Sequence, residues 1–153
     1  MVSNLWRVRG GQYLKLDAQG QAMAIWHGPW HCVLDQITGL VWENKTDNES
    51  IHDGYWSYSW FIDGVGVENA GDCYFEAERC DVSDLIRRAN QQQLCGIEQW
   101  RLPTVAELSS LLTEDTRPGE AKINRDFFPF THKGDYWTAE SGQALSGVFQ
   151  HLG

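Results

Sequence analysis

The feature that most limits how this chain can fold is a proline corner followed by a capped helix start. Pro103 disfavours the helical region for Leu102, so the chain before it is expected to be extended. Thr104 and Glu107 have the spacing of a capping box, in which each side chain accepts a backbone N–H at the helix start. The sequence therefore predicts a short strand that ends at Leu102 and a helix over residues 105–113.

The predicted helix has one apolar face that must be buried. Its apolar residues recur with helical spacing: Val105, Leu108, Leu111 and Leu112. A second helix is predicted over residues 82–94, because Asp81 is a suitable N-cap and Gly96 a suitable stop. Two helices beside short β-rich runs indicate an α+β fold.

Short runs of β-forming residues indicate a small antiparallel sheet. The clearest is a hairpin, in which residues 32–34 and 40–42 surround a turn that ends in Gly39. Further strands are expected within residues 6–16, 22–26 and 135–138. Two flanking helices and long loops would complete the α+β domain.

Length and charge limit the kind of protein and its partners. The 153 residues are expected to form one domain over 1–153. A net charge of −9 makes nucleic acid an unfavourable partner. We expect no membrane insertion, since the apolar runs are short, and Arg7 and Arg9 interrupt any signal peptide at the start.

Four cysteines favour disulfide bonds over a metal site. Their spacing lacks the Cys-x-x-Cys pairs of zinc sites. Three pairings are open, and we favour Cys73 with Cys80 as a local loop and Cys32 with Cys95 as a long-range link. Free buried thiols are the alternative. Disulfides would place the chain outside the cytosol, and we then expect a leader on a longer precursor.

Residues 44–72 form a long polar segment rich in glycine that contains many aromatic residues. Its rings are expected either to fill the core or to form a platform for a ligand. The acidic side chains there lack the order of an EF-hand loop, so a solvated loop is favoured. Calcium binding by Asp63, Glu68 and Asp72 is kept as the alternative, and no other cofactor is expected.

Four segments in a fixed order carry a family resemblance. They are WHCVLDQITGLVWENK, IHDGYWSYSWF, LCGIEQWRLPTVAELSSLL, and FFPFT with DYWTAES, within residues 30–141. Together they resemble the Lcl C-terminal domain family, named after a bacterial collagen-like adhesin. The corner also looks like that of formylglycine-generating-enzyme-like domains, which implies a C-type-lectin-like fold. The residues of this structural signature are Trp100, Arg101, Pro103, Thr104 and Glu107.

The resemblance implies a non-enzymatic binding or adhesion module of an exported bacterial protein, in the periplasm, at the cell surface or secreted. The founding adhesin binds sulfated glycosaminoglycans, which the acidic charge of this chain disfavours. We therefore expect a glycan or protein ligand on a surface. The candidate ligand-binding residues are Tyr55, Trp56, Tyr58, Trp60, Asp63, Glu68, Tyr136 and Trp137.

Two other functions stay open from the sequence. The closing C-terminal strand of the family is not recognisable here, so a homo-oligomer or a partner chain could supply a strand to a structural subunit. The resemblance to formylglycine-generating enzymes also allows a copper or thiol enzyme. No catalytic residue is predicted, because the five histidines show no metal-ligand spacing: His27, His31, His52, His132 and His151.

Overall fold

The computed structural model describes residues 2–4, 12–73, 80–113, 122–131, 136–140 and 144–145. Its strands are β1 Val2–Asn4, β2 Tyr13–Leu16, β3 Ala22–Met23, β4 Cys32–Asp35, β5 Leu40–Glu43, β6 Phe61–Ile62, β7 Val65–Gly66, β8 Tyr136–Trp137 and β9 Ala144–Leu145. Its helices are α1 Val82–Gln91 and α2 Val105–Ser109, with a 3-10 turn at Leu94–Gly96. The predicted α+β class with antiparallel pairing is confirmed.

The chain divides into two compact units. Unit 1 comprises residues 1–44 and 86–101, and unit 2 comprises residues 45–85 and 102–153. One domain over the whole chain stays a prediction, so each unit is described by itself.

Unit 1 contains a five-stranded antiparallel sheet in the order β1-β5-β4-β2-β3. The predicted hairpin is confirmed as β4 and β5, with Val33 opposite Trp42 and Leu34 opposite Val41. Asp35 organises its turn, because one carboxylate oxygen accepts the Ile37 N–H at 2.9 Å. The hairpin is therefore a local consequence of its sequence.

One buried cluster of unit 1 lies on one face of this sheet. Leu16, Cys32, Leu34 and Val41 from the strands pack with Ala89, Cys95, Ile97 and Trp100. The Cys32–Cys95 disulfide crosses this core with a Cα–Cα distance of 6.5 Å. It is the long-range link that we favoured, and it joins the sheet to the turn after α1.

Two predictions for unit 1 are wrong in part: one helix is shorter than expected, and one strand does not form. Helix α1 ends at Gln91 and not at residue 94, because Gln93 and Cys95 both have positive φ and turn the chain. Residues 98–102 form no strand, and Arg101 alone makes a β-bridge, to Val2. The indole of Trp100 instead donates to the Leu94 carbonyl at 3.0 Å, which holds this turn against the core.

Unit 2 contains the predicted capping box. The Thr104 hydroxyl accepts the Glu107 N–H at 3.1 Å, and the Glu107 carboxylate accepts the Thr104 N–H at 2.9 Å. Helix α2 ends at Ser109 and not at residue 113, because the backbone at Leu112 forms a β-bridge with Ile123. The N-terminal end of α1 also has its predicted cap, since Asp81 accepts the Asp84 N–H at 2.9 Å.

The second favoured disulfide joins Cys73 and Cys80 within unit 2, with a Cα–Cα distance of 5.6 Å. All four cysteines of the sequence are thus paired. None of the described helices has the length and apolar character to cross a membrane. The structure does not describe residues 6–11, His132 and His151. The absence of the family's closing C-terminal strand stays a prediction, since residues 146–153 also lie outside the described part of the chain.

Candidate functional site

The polar segment that carries most of the predicted ligand residues folds as an irregular hairpin over residues 57–72, here called the 57–72 hairpin. At its base, Ser57 and Asp72 form an antiparallel bridge. Further along, the Val67 N–H donates to the Trp60 carbonyl at 2.9 Å, and Phe61 lies opposite Gly66. The sequence analysis did not identify this hairpin.

The tip of the hairpin is a two-residue turn of Asp63 and Gly64. Their φ angles are 50° and 78°, and positive φ at both positions is what a type I′ hairpin turn requires. The Asp-Gly dipeptide between apolar residues was the signal that could have revealed the hairpin from sequence. Every residue from 63 to 70 is exposed, so the tip projects into solvent.

At the tip of the hairpin a glycine faces inward and apolar side chains face solvent, which is the reverse of the usual arrangement. A Cβ atom on Gly66, which has a φ of 107°, would lie 2.1 Å from the Trp60 carbonyl oxygen, so the glycine position faces inward. Val65 and Val67 lie on either side of it and are 58% and 61% exposed. These exposed fractions show that the apolar side chains of the hairpin tip face solvent.

Two tryptophans fix the hairpin to the segment that follows β8. The Trp60 indole donates to the Thr138 carbonyl at 2.8 Å, and the Trp137 indole donates to the Tyr58 carbonyl at 2.6 Å. Trp60 is only 8% exposed. The structure therefore brings Tyr58, Trp60 and Trp137 together, as parts of a support and not as an open aromatic platform.

The same segment connects the hairpin to the start of α2. The Ala139 N–H donates to the Pro103 carbonyl at 2.8 Å. The Val105 N–H lies 3.2 and 3.1 Å from the two carboxylate oxygens of Glu140, and this hydrogen bonding lowers the pKa of Glu140 below its ordinary value of 4.5. The proline corner thus belongs to the scaffold beneath the candidate surface.

The other predicted aromatics differ in exposure. Trp56 and Tyr58 are half-buried and donate to the carbonyls of Ser50 and Ile51 at 2.8 and 2.9 Å. Tyr55, by contrast, is 69% exposed. Tyr136 is half-buried in β8. Among the predicted aromatics, Tyr55 has the ring most available to a ligand.

The three acids kept for calcium lie at separate places on the hairpin. Asp63 is in the tip turn, Glu68 follows β7, and Asp72 is at the base opposite Ser57. Within the described ranges, no three His, Cys, Asp or Glu side chains converge in a way that could hold a metal ion. The three acids are exposed and lie apart from one another along the hairpin.

Unit 1 carries an exposed aromatic residue that the sequence analysis missed. Trp26 was expected in a strand, but the strand ends at Met23 and Trp26 lies in a turn, 80% exposed. Lys15 holds this turn by donating to the Ile25 carbonyl at 2.5 Å, and its ammonium lies 3.7 Å from the centroid of the Trp30 ring. No local sequence signal distinguishes this tryptophan from a buried one.

Comparison with protein families identifies one match over most of the chain. The model of the Lcl C-terminal domain matches residues 31–150. Searches of curated proteins and of solved structures find no match. Since the match covers most of the sequence, including the hairpin and the proline corner, this chain belongs to the Lcl C-terminal domain family.

Proposed function

We propose that this chain is a non-enzymatic binding module of an exported bacterial protein and that it attaches to a glycan or protein ligand through the 57–72 hairpin of unit 2. The observation that carries the proposal is the exposed apolar face of the hairpin, formed by Val65 and Val67. Folding alone does not favour this arrangement, because exposed apolar side chains on a projecting hairpin gain nothing from burial.

A rigid support makes the hairpin suitable for recognition. Trp60 of the hairpin donates a hydrogen bond to the Thr138 carbonyl, and Trp137 donates one back to the Tyr58 carbonyl of the hairpin. These two bonds hold the strands beneath the exposed tip in place. A preorganised surface loses less conformational entropy on binding than a mobile loop. Tyr55 adds an exposed ring in the same unit, and rings of this kind contribute strongly to contact surfaces.

The location proposed for this module is extracytoplasmic. Two disulfides support it, since such bonds persist in oxidising compartments. Membership of an adhesin-associated family supports the same location. The C-type-lectin-like arrangement implied by the proline corner is part of this proposal, and an experimental structure compared with lectin-like domains would test it.

The absence of enzymatic activity is also part of the proposal. A copper or thiol enzyme needs free cysteine thiolates, whereas Cys32, Cys73, Cys80 and Cys95 are all in disulfides. This pairing supports a binding module over a formylglycine-generating-like enzyme. Assaying the oxidised protein for copper-dependent oxidation of a cysteine peptide would test this part, and turnover would contradict it.

The binding function can be tested with a glycan array and a panel of purified extracellular-matrix proteins. The test variant combines Val65→Ser with Val67→Ser, and Tyr55→Ala is measured beside it. Ile37→Ser is the matched control, because Ile37 is a similarly exposed apolar residue in the β4–β5 turn of unit 1. We expect the hairpin variant to weaken binding several-fold and the control to bind like the original protein.

Two results would contradict the proposal. One is the absence of binding to every member of both panels. The other is binding that the hairpin variants leave unchanged, or that Ile37→Ser weakens to the same extent. Circular dichroism and thermal unfolding of each variant would separate a loss of contact from a loss of folding.

A further inference from the structure

The 57–72 hairpin lies within a stretch of sequence that carries acidic residues and no basic one. Residues 46–78 contain eight Asp or Glu residues and no Lys or Arg. On the described hairpin itself, Asp63, Glu68 and Asp72 are all exposed. A ligand that approaches this surface therefore meets carboxylates without neighbouring basic side chains from the same segment.

These charges adjoin the apolar face of the hairpin. Val65 and Val67 are two residues apart in the chain. Asp63 lies in the tip turn, two residues before Val65, and Glu68 directly follows Val67. The inward position between the valines is occupied by Gly66 against Trp60. The surface thus offers two exposed methyl-bearing side chains between two exposed carboxylates.

We infer that the ligand of this hairpin is a cationic polypeptide segment in which Lys or Arg residues accompany apolar ones. This inference rests on the proposed function and names its ligand class. The aliphatic stems of Lys and Arg pack on apolar surface while their charged ends reach carboxylates. Such a partner would contact both the exposed valines and the exposed carboxylates of the hairpin.

The chemistry of the surface disfavours anionic partners. Sulfated glycans, nucleic acids and anionic membrane surfaces all carry negative charge, and they would be repelled by a hairpin with three exposed acids and no Lys or Arg. A neutral glycan would not use the charges. A basic segment gains from long-range attraction as well as from contact, so its association should be fast and salt-dependent.

The inference can be tested by fluorescence anisotropy with two labelled peptides of equal length. One alternates lysine with valine, and the other alternates glutamate with valine. The test variant combines Asp63→Asn with Glu68→Gln. The matched control combines Asp47→Asn with Glu49→Gln, which removes the same charge from exposed acids outside the hairpin.

We expect the lysine peptide to bind and the glutamate peptide not to bind. The hairpin charge variant should weaken the lysine peptide about tenfold, while the control should change its affinity less than about twofold. Val65→Ser with Val67→Ser should also weaken it, and added salt should weaken binding to the original protein more than to the hairpin charge variant.

Equal weakening by the two charge variants would overturn the inference, since net charge alone would then explain binding. Equal binding of the two peptides would overturn it as well. If neither peptide binds while a neutral glycan binds through Val65 and Val67, the ligand class is wrong and the proposed function stands. If no probe depends on the hairpin, both proposals fail.

Discussion

Unit 1 and unit 2 are stabilised by different kinds of hydrogen bond. Unit 1 uses a five-stranded sheet whose central strands β4 and β5 are buried along their whole length. In the residues of unit 2 that the structure describes, the strand pairs are two residues long, β6 with β7 and β8 with β9. Side chains that bond to backbone carbonyls join its segments. Short strand pairs are marginal alone, so these side-chain bonds have a larger structural role in unit 2.

The two units also differ sharply in charge. Unit 1 contains six Lys or Arg and four Asp or Glu, a net charge of +2. Unit 2 contains six Lys or Arg and 17 Asp or Glu, a net charge of −11. The overall charge of −9 is therefore a property of unit 2, and an argument from total charge about ligands applies to unit 2 and not to unit 1.

The largest expected effect concerns the disulfides. Replacing both Cys32 and Cys95 with serine opens a link between residues 63 positions apart, whereas Cys73 and Cys80 are 7 apart. The loop-entropy relation gives losses of about 4 and about 2.5 kcal/mol in the free energy of unfolding. Urea unfolding of both double variants would measure this difference, and an equal or reversed order would contradict the relation here.

A tryptophan substitution tests whether side-chain bonds order unit 2. Trp60→Phe keeps a ring in the buried site but removes the N–H donor to the Thr138 carbonyl. We expect a loss of about 1 to 3 kcal/mol in the free energy of unfolding, because a buried acceptor loses its partner. Hydrogen exchange should rise first in the 57–72 hairpin.

The matched control for this substitution lies in unit 1. Trp100→Phe removes a similar indole bond, to the Leu94 carbonyl. The sheet of unit 1 should keep its slow hydrogen exchange in that variant, since its strands pair through their backbone. If the sheet of unit 1 and the hairpin of unit 2 lost protection equally, the contrast between the units would not hold.

Acid should weaken unit 2 through Glu140. The Val105 N–H lowers its pKa in the folded state, so its contribution to stability is present above about pH 4.5, the value for an unfolded chain, and is lost as pH falls further. Glu140→Gln should reduce the unfolding temperature at neutral pH, and the difference from the original protein should shrink in acid. A difference that is constant with pH would contradict this role.

The smallest effect is expected at high pH, in unit 1. Burial, with the negative charge of Asp35, raises the pKa of Tyr13 from 10.0 to about 12. A raised pKa means that this contribution to stability is complete below pH 10.0 and is lost as pH rises towards 12. Thermal unfolding of Tyr13→Phe should show less alkaline destabilisation, and ultraviolet titration should lose a phenolate that forms at about pH 12.

Local features of the fold were predictable where neighbouring residues decide them. The capping box of Thr104 and Glu107 and the turn at Asp35 both depend on hydrogen bonds within three residues. The ends of helices were less predictable. Helix α2 stops at Ser109 because Leu112 bridges Ile123, a partner that local spacing does not reveal.

The candidate site was predictable only in part. The aromatic residues of 55–60 and Trp137 were predicted to serve the same ligand site, and the structure joins Tyr58 and Trp60 to the segment that contains Trp137. It could not separate the buried Trp60 from the exposed Tyr55, because ring type does not determine burial. The exposure of Val65 and Val67 could not be predicted either, because an apolar residue type does not determine burial.

The sequence by itself determined the capped helix start, the β4–β5 hairpin and the family, while the tertiary structure decided which of the three open cysteine pairings forms. The helix start, the hairpin and the family each depend on residue type and spacing along the chain, which can be read without knowing which distant segments pack nearby. Only the tertiary structure decided that the valines of the hairpin face solvent while Gly66 faces Trp60. Burial depends on which distant segment covers a side chain, and that is a property of the folded molecule.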